Sequence, residues 1–343
     1  MLKKIAFVFI SSMGLFFYDF GQVVHKPVDI LDIMNRSKVK YDVGVLTKDI
    51  PDKDYSGLLN EPYMYRLDSN DQTFVRKMVI AKEAKQEWNS AESAFRDDNY
   101  KEAQVHYKNV LDIQPDYYPA KMQIAKTFEK EEEFEKAEAS YKQAMSKNYI
   151  DYLPHLLLAK VYLQDSKMEE AVDEITLASI LNRNDTAILA AMRDIYQSAG
   201  LKFSYWVFTP QYELINEHNS NKVEVLSRKG WDGYAAVKAI WKFEPGYAVT
   251  QGEKPGRPSL LEEKECLINV MAYQDQHFDA ELPKPFDMIK KAIDNKLLDG
   301  FIYYEILLPQ NPSLAYQLPN NVIKVIKNYA VMAHGGEMPK KKK

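Results

Sequence analysis

DDNYKEAQVHYKNVLDIQP, residues 97–115, sets Ala103 and Tyr107 four positions apart and closes on Pro115. Thirty-four residues on, EEEFEKAEASYKQAMSKNY (131–149) sets Ala137 and Tyr141 in the same places. Another thirty-four on, DSKMEEAVDEITLASILNR (165–183) sets Ala171 and Ile175. The match extends to further columns: Ala91, Ala125 and Ala159; Ala94, Phe128 and Tyr162; Tyr100, Phe134 and Met168; Val110, Ala144 and Ala178. A repeat of this length marks a solenoid, in which each unit buries its apolar face only by stacking on the next. Within a unit the small and large apolar residues fall three, four, seven and eight apart, one face of a helix. RDDN (96–99), KEEE (130–133) and QDSK (164–167) are polar turns, so each unit is a pair of antiparallel helices.

The alanine columns need their size, because a bulkier side chain would push crossing helices beyond an axial distance of about 8–10 Å. Pro115 ends the second helix of the first unit, since proline cannot continue the hydrogen-bond ladder. The later units carry Tyr149 and Arg183 there, so their helix ends rest on Asn148, Asp151, Asn184 and Asp185.

This period and pattern over about residues 84–185 resembles the tetratricopeptide repeat (TPR), as three units, with TAILAAMRDIYQSAG (186–200) as a closing helix. Two departures stand out: Trp88 is displaced by one position from the family's usual tryptophan, and no glycine follows it. The resemblance implies a concave groove walled by first-helix side chains. Mapped by position, these are Lys85, Trp88, Asn89, Glu92 and Arg96 in unit one. Unit two supplies Met122, Gln123, Lys126 and Lys130, and unit three Leu153, Leu156, Leu157, Lys160 and Gln164. Lys126, Lys130 and Lys160 beside Met122 and Leu156 suit an extended or amphipathic peptide with acidic groups. The family's carboxylate clamp needs Asn and basic residues in successive units. Gln123, Leu153 and Leu157 stand in those places, so no clamp is expected.

Outside the array the sequence is less regular. MLKKIAFVFISSMGLFFYDFGQVV places Lys3 and Lys4 before an apolar run and a small residue, the order of an export signal, read as residues 1–21. The run is short for a membrane span, and no span is expected in the mature chain. Residues 22–70 read as an extended lead-in, with VDILDIMN as a short helix or strand. Residues 71–200 form the array, whose first helix is expected to run from about Gln72 to Arg96, capped by Ser69, Asn70 or Asp71. After Gly200, YELI and VEVLS flank NEHNSN as a β-hairpin, and WDGYAAVKAIWKF reads as an amphipathic helix. Further helices are expected at 259–278, 286–298 and 320–334, while GFIYYEILLPQNP is open between helix and strand. The expected fold class is mainly α: a TPR helical-hairpin solenoid followed by a smaller α+β domain (201–336) and a basic tail (337–343). FTPQYELI and WDGYAAVKAIWKFEPGY placed after a TPR array resemble the C-terminal region of exported bacterial TPR proteins, a resemblance that implies no activity.

Signatures of catalysis are absent. The histidines, 25, 106, 155, 218, 277 and 334, show no metal spacing and no HExxH. His277 with Asp275 and Asp279 reads as a helix end, Glu244 as a contact of the PGY turn, and Cys266 as a buried core thiol. HGGEMP lacks a phosphate-loop lysine and reads as a helix stop. A net charge of -4 gives no basic face for nucleic acid. No cofactor or metal is implied. The expected function is a non-enzymatic, exported scaffold of the cell envelope that binds a peptide or protein in the groove. Two alternatives remain open: a glycan-binding module, given 23 Tyr and 4 Trp, and an enzyme with an unrecognised site in 201–336. A further alternative is that the C-terminal domain fills the groove.

Overall fold

The computed structural model describes residues 24–334 apart from 70–71, 147, 218–219, 273, 275–277 and 279–280. The expected export signal, the tail, His218, and the Asp275, His277 and Asp279 group lie outside the described residues. The chain forms α1 (Pro27–Arg36) and β1 (Lys40–Val45), then β2 (Met64–Ser69) and β3 (Gln72–Lys77). Three helical hairpins follow: α2 (Lys85–Arg96) with α3 (Tyr100–Ile113), α4 (Tyr118–Lys130) with α5 (Phe134–Met145), and α6 (Tyr152–Gln164) with α7 (Met168–Leu181). The closing helix is α8 (Thr186–Ser198), packed on α7.

The repeat columns are the packing seams. Ala91, Ala103, Ala125, Ala137, Ala159 and Ala171 are all fully buried, as are Tyr107, Tyr141 and Ile175. Burying each large side chain contributes about 1.5–3 kcal/mol, and the alanines let the helices approach closely enough for it. The hairpin turns repeat with the same period. Asp98, Glu132 and Ser166 have left-handed backbones with φ of 56°, 59° and 59°. The next amide bonds back five residues: Asn99 to the Ala94 carbonyl, Glu133 to Phe128 and Lys167 to Tyr162, each at 2.8 Å. That geometry satisfies carbonyls that a helix end leaves open.

Gln72–Lys77 is a strand, so the expected first helix is too long at its N-terminal end. Leu67 stands opposite Phe74 and Tyr65 opposite Arg76 in an antiparallel hairpin. The run has no proline or glycine to break a helix, but Thr73, Phe74 and Val75 suit a pleated strand. The α-helix begins at Lys85, after a single 3₁₀ turn at Lys82–Ala84.

The second unit is the expected α+β layer. β4 (Tyr212–Ile215) and β5 (Lys222–Ser227) pair antiparallel, with Leu214 opposite Val225. β5 also pairs parallel with β1, giving the order β1-β5-β4. The whole array is therefore inserted, in sequence, between two neighbouring strands of one sheet. The expected extended lead-in contains both a helix and a strand of this layer. α9 (Asp232–Phe243) packs on α1, and α10 (Tyr247–Thr250) follows it. In α11 (Leu260–Met271), Glu265 accepts from the His25 backbone at 2.8 Å, the Trp241 indole at 2.6 Å and the Tyr247 hydroxyl at 2.9 Å. Glu244 likewise accepts from Ser37 at 2.5 Å and Tyr41 at 3.0 Å, so its side chain holds the lead-in, while its backbone carbonyl accepts from Tyr247 of the PGY turn at 3.2 Å.

α12 (Lys284–Asp294) and α13 (Asn320–Ala333) complete the unit. GFIYYEILLPQNP is helical, with Ile302–Leu307 wound as a π-helix. Cys266 is fully buried, and burial pushes its thiol well above the usual range. Among the described residues no helix is long and apolar enough to cross a membrane.

Candidate peptide-binding face of the repeat array

The 34-residue period turns first-helix positions into columns, and the structure shows what each column does. In the column Trp88, Met122, Leu156 the side chains pack inward. Met122 is 2% exposed, in one cluster with Tyr118, Ala125 and Tyr141. Trp88 stands edge-on to Tyr107 and Tyr117, with ring centroids 5.5 and 5.4 Å away. Leu156, with Leu153 and Leu157, is half-buried against the array core. Met122 is therefore a core residue, while Trp88 is half-buried against the seam formed by Tyr107 and Tyr117. The side chain of an apolar residue gains more from the inter-helix seam than from solvent, and position alone did not separate the two.

The column Glu92, Lys126, Lys160 remains on the first-helix face. Glu92 is occupied: it accepts from the Tyr107 hydroxyl at 2.6 Å and from Gln123 at 3.0 Å. Glu129 accepts from the Tyr141 hydroxyl at 3.3 Å. Lys126 is half-buried, and burial lowers its pKa, opposed by Glu92 and Glu129 and reinforced by the neighbouring Lys160 charge. Among the described residues it has no ion pair within 4.0 Å. Lys160, and Arg96 and Lys130 of the adjacent column, are exposed and likewise unpaired. Lys85, Asn89 and Gln164 are exposed.

Part of this face is covered, but not by the C-terminal unit. Among the array helices that unit packs on α7, through α13 and the turn at Pro312–Gln317. The cover is the chain between Leu58 and Ala81, held by a second column of which the sequence reading named only Asn148, as a helix end. Gln114, Asn148 and Asn182 stand 34 apart, and each amide grips its backbone. Gln114 accepts from the Ala81 amide at 2.8 Å, Asn148 donates to the Met64 carbonyl at 2.7 Å, and Asn182 accepts from the Asn60 amide at 2.9 Å. Asp151 accepts from the Tyr63 amide and the Tyr118 hydroxyl, both at 2.9 Å. Tyr63, itself left-handed at φ 64°, packs on the array core, where burial and then the Asp151 and Glu92 carboxylates raise its pKa. The face left uncovered carries Arg96, Lys126, Lys130 and Lys160. The period of the amide column was the available signal for the strap.

The remaining candidates do not assemble. No group of three or more His, Cys, Asp or Glu placed to hold a metal occurs among the described residues. His106 and His155 pair with Glu87 at 2.8 Å and Glu174 at 2.6 Å, bridging the two helices of a unit.

No family model matches the chain, and no curated protein matches it. Among solved structures it is similar to an Arabidopsis OM64 TPR domain, at 14% identity and a TM-score of 0.32, covering 33% of this chain and 94% of that one. It is also similar to the first TPR of Spaghetti (RPAP3) bound to the HSP90 peptide SRMEEVD, at 20% identity and a TM-score of 0.33, covering 36% and 97%. The TPR-like array in a mainly helical chain with a small sheet region rests on the helical hairpins and strands of the chain itself.

Proposed function

We propose that this protein is a non-enzymatic interaction scaffold whose array receives an acidic peptide or protein segment on its first-helix face. The observation that carries the reading is Lys126: half-buried, unpaired, and beside the Lys160 charge. Two cations held close together repel each other, and an anionic side chain laid between them would relieve that repulsion. The nearby Glu92 and Glu129 act on Lys126 only at longer range, and each also accepts a tyrosine hydroxyl. Arg96 and Lys130 extend the charged strip, and the half-buried Leu156 and Leu157 offer an apolar edge.

The experiment is fluorescence anisotropy with a library of labelled ten-residue acidic peptides at low and high salt. Binding by the wild type that weakens at least about tenfold in the Lys126→Glu, Lys160→Glu double variant supports the face. Equal binding by both proteins, or no binding by either, sinks it. We place the protein outside the cytoplasm, in a bacterial cell envelope, on the Lys3, Lys4 and Ile5–Phe17 pattern. Fractionation of a strain expressing a tagged full-length chain tests that part separately.

A further inference from the structure

A cavity of about 520 Å³ lies away from the array face, within the usual range for small-molecule sites. β4, α9, the start of α11 and the π-helical turn at Ile302–Leu307 all contribute to its wall. A π-helical turn costs hydrogen-bond geometry and recurs at functional sites.

Three kinds of group line it. On one wall Lys238 Nζ lies 2.6 Å from Glu262 Oε1 and 2.5 Å from Glu263 Oε1, and Tyr234 donates to Glu263 Oε2 at 2.6 Å. Burial works against the Lys238 charge, but the Glu263 and Glu262 carboxylates hold its pKa well above that of an ordinary lysine. Lys238 is therefore a fixed cation, and both oxygens of Glu263 are used. Glu262 differs: its carboxyl is 13% exposed, burial raises its pKa, and its Oε2 has no hydrogen bond among the described residues. Tyr55 and Tyr212 add aromatic surface, and the hydroxyl of Tyr212 also has no hydrogen-bond partner among them. Around the opening stand Lys53, Lys242, Lys254 and Arg257, all exposed and none in an ion pair among the described residues.

A ligand that satisfies all three must carry an anionic group for the rim, hydroxyl donors for the inner carboxylate, and a ring face for the tyrosines. We propose that this cavity binds a small sugar bearing a phosphate or carboxylate group, with its anion on Lys254 and Arg257 and a hydroxyl donating to Glu262. The site is independent of the array face and holds whichever partner the array receives.

Isothermal titration of the full chain with glucose 6-phosphate, glucuronate, glucose and inorganic phosphate tests it. The expected result is binding of glucose 6-phosphate or glucuronate, the tighter one identifying the anion, with glucose and inorganic phosphate each at least about tenfold weaker. The Lys254→Glu, Arg257→Glu variant changes only exposed side chains, so it keeps its fold, verified by an unchanged thermal midpoint. It should bind the anionic sugar at least about tenfold more weakly. The proposal is overturned if neither anionic sugar binds, if inorganic phosphate or glucose binds as well as they do, or if the variant binds them unchanged.

Discussion

His334 joins the two units through one ring: it stands edge-on to Tyr196 of α8, with centroids 6.3 Å apart. It is fully buried, stacks on Phe203 at 4.9 Å, and its Nδ1 lies 2.7 Å from the Ser204 carbonyl. Burial, and then the charge of Arg183, push its pKa down from 6.5 to about 4. The folded state therefore holds the imidazole neutral, while the unfolded chain takes a proton below pH 6.5. The stability this supplies is fully present above pH 6.5 and is lost as pH falls toward 4. Between pH 7 and pH 5 the loss is about 2 kcal/mol. Urea unfolding at both pH values should show it in the wild type, and His334→Asn should remove that increment. An identical pH dependence in the two proteins would refute the assignment. Buried carboxylates such as Glu305, whose pKa burial raises, act in the opposite direction and are common to both.

Among the elements, the helical hairpins were legible because their period is written in side chains that sterics constrain. Ala103, Ala137 and Ala171 can be nothing larger, and their column fixes both helices of a unit. The hairpin of β2 and β3 was not legible. Its strands are six residues each, and they precede a helix with no breaking residue between. The strap was half legible: Gln114, Asn148 and Asn182 repeat, but an amide at a helix end caps a helix in most sequences. The same mixture holds for the face. Lys126 and Lys160 stand in one first-helix column, as their spacing implies, whereas Met122, on the same helix as Lys126, is buried in the seam.

The turn columns support a prediction at this level. Glu132 holds a left-handed backbone, φ 59°, that costs a side chain with a Cβ about 1 kcal/mol. Glu132→Gly removes that strain, partly offset by the greater freedom of glycine in the unfolded chain. The variant should gain about 0.5–1 kcal/mol in urea unfolding. A loss would mean that the Glu132 side chain matters more than its backbone.

Over the whole molecule, the insertion of the array between β1 and β5 makes separate folding of the two units costly. The chain must close a loop of the entire array before the parallel pair can form. What compensates is a set of contacts across the junction. Arg183 donates to the Tyr304 carbonyl at 3.0 Å and to Glu305 at 3.2 Å, with its guanidinium 4.0 Å from the Tyr304 ring centroid. Asn60 donates to the carbonyls of Leu181 and Pro312 at 2.6 and 2.8 Å, and Asn184 to those of Leu58 and Pro309 at 3.0 and 2.9 Å. These groups are buried, so breaking them strands polar atoms without water. The two units should therefore unfold together. Trp88 is the one tryptophan of residues 71–200, while Trp206, Trp231 and Trp241 lie beyond. In a Trp88→Phe background, fluorescence reports the C-terminal unit and far-ultraviolet circular dichroism reports helices of both. The two urea transitions should coincide. Arg183→Leu leaves the Glu305 carboxylate buried without its counter-ion, held among the described residues only by the Tyr329 hydroxyl at 3.0 Å, and should separate the transitions, with the fluorescence one destabilised by about 3–5 kcal/mol. Separate transitions before the substitution, or coincident ones after it, would show that the junction does not couple the units.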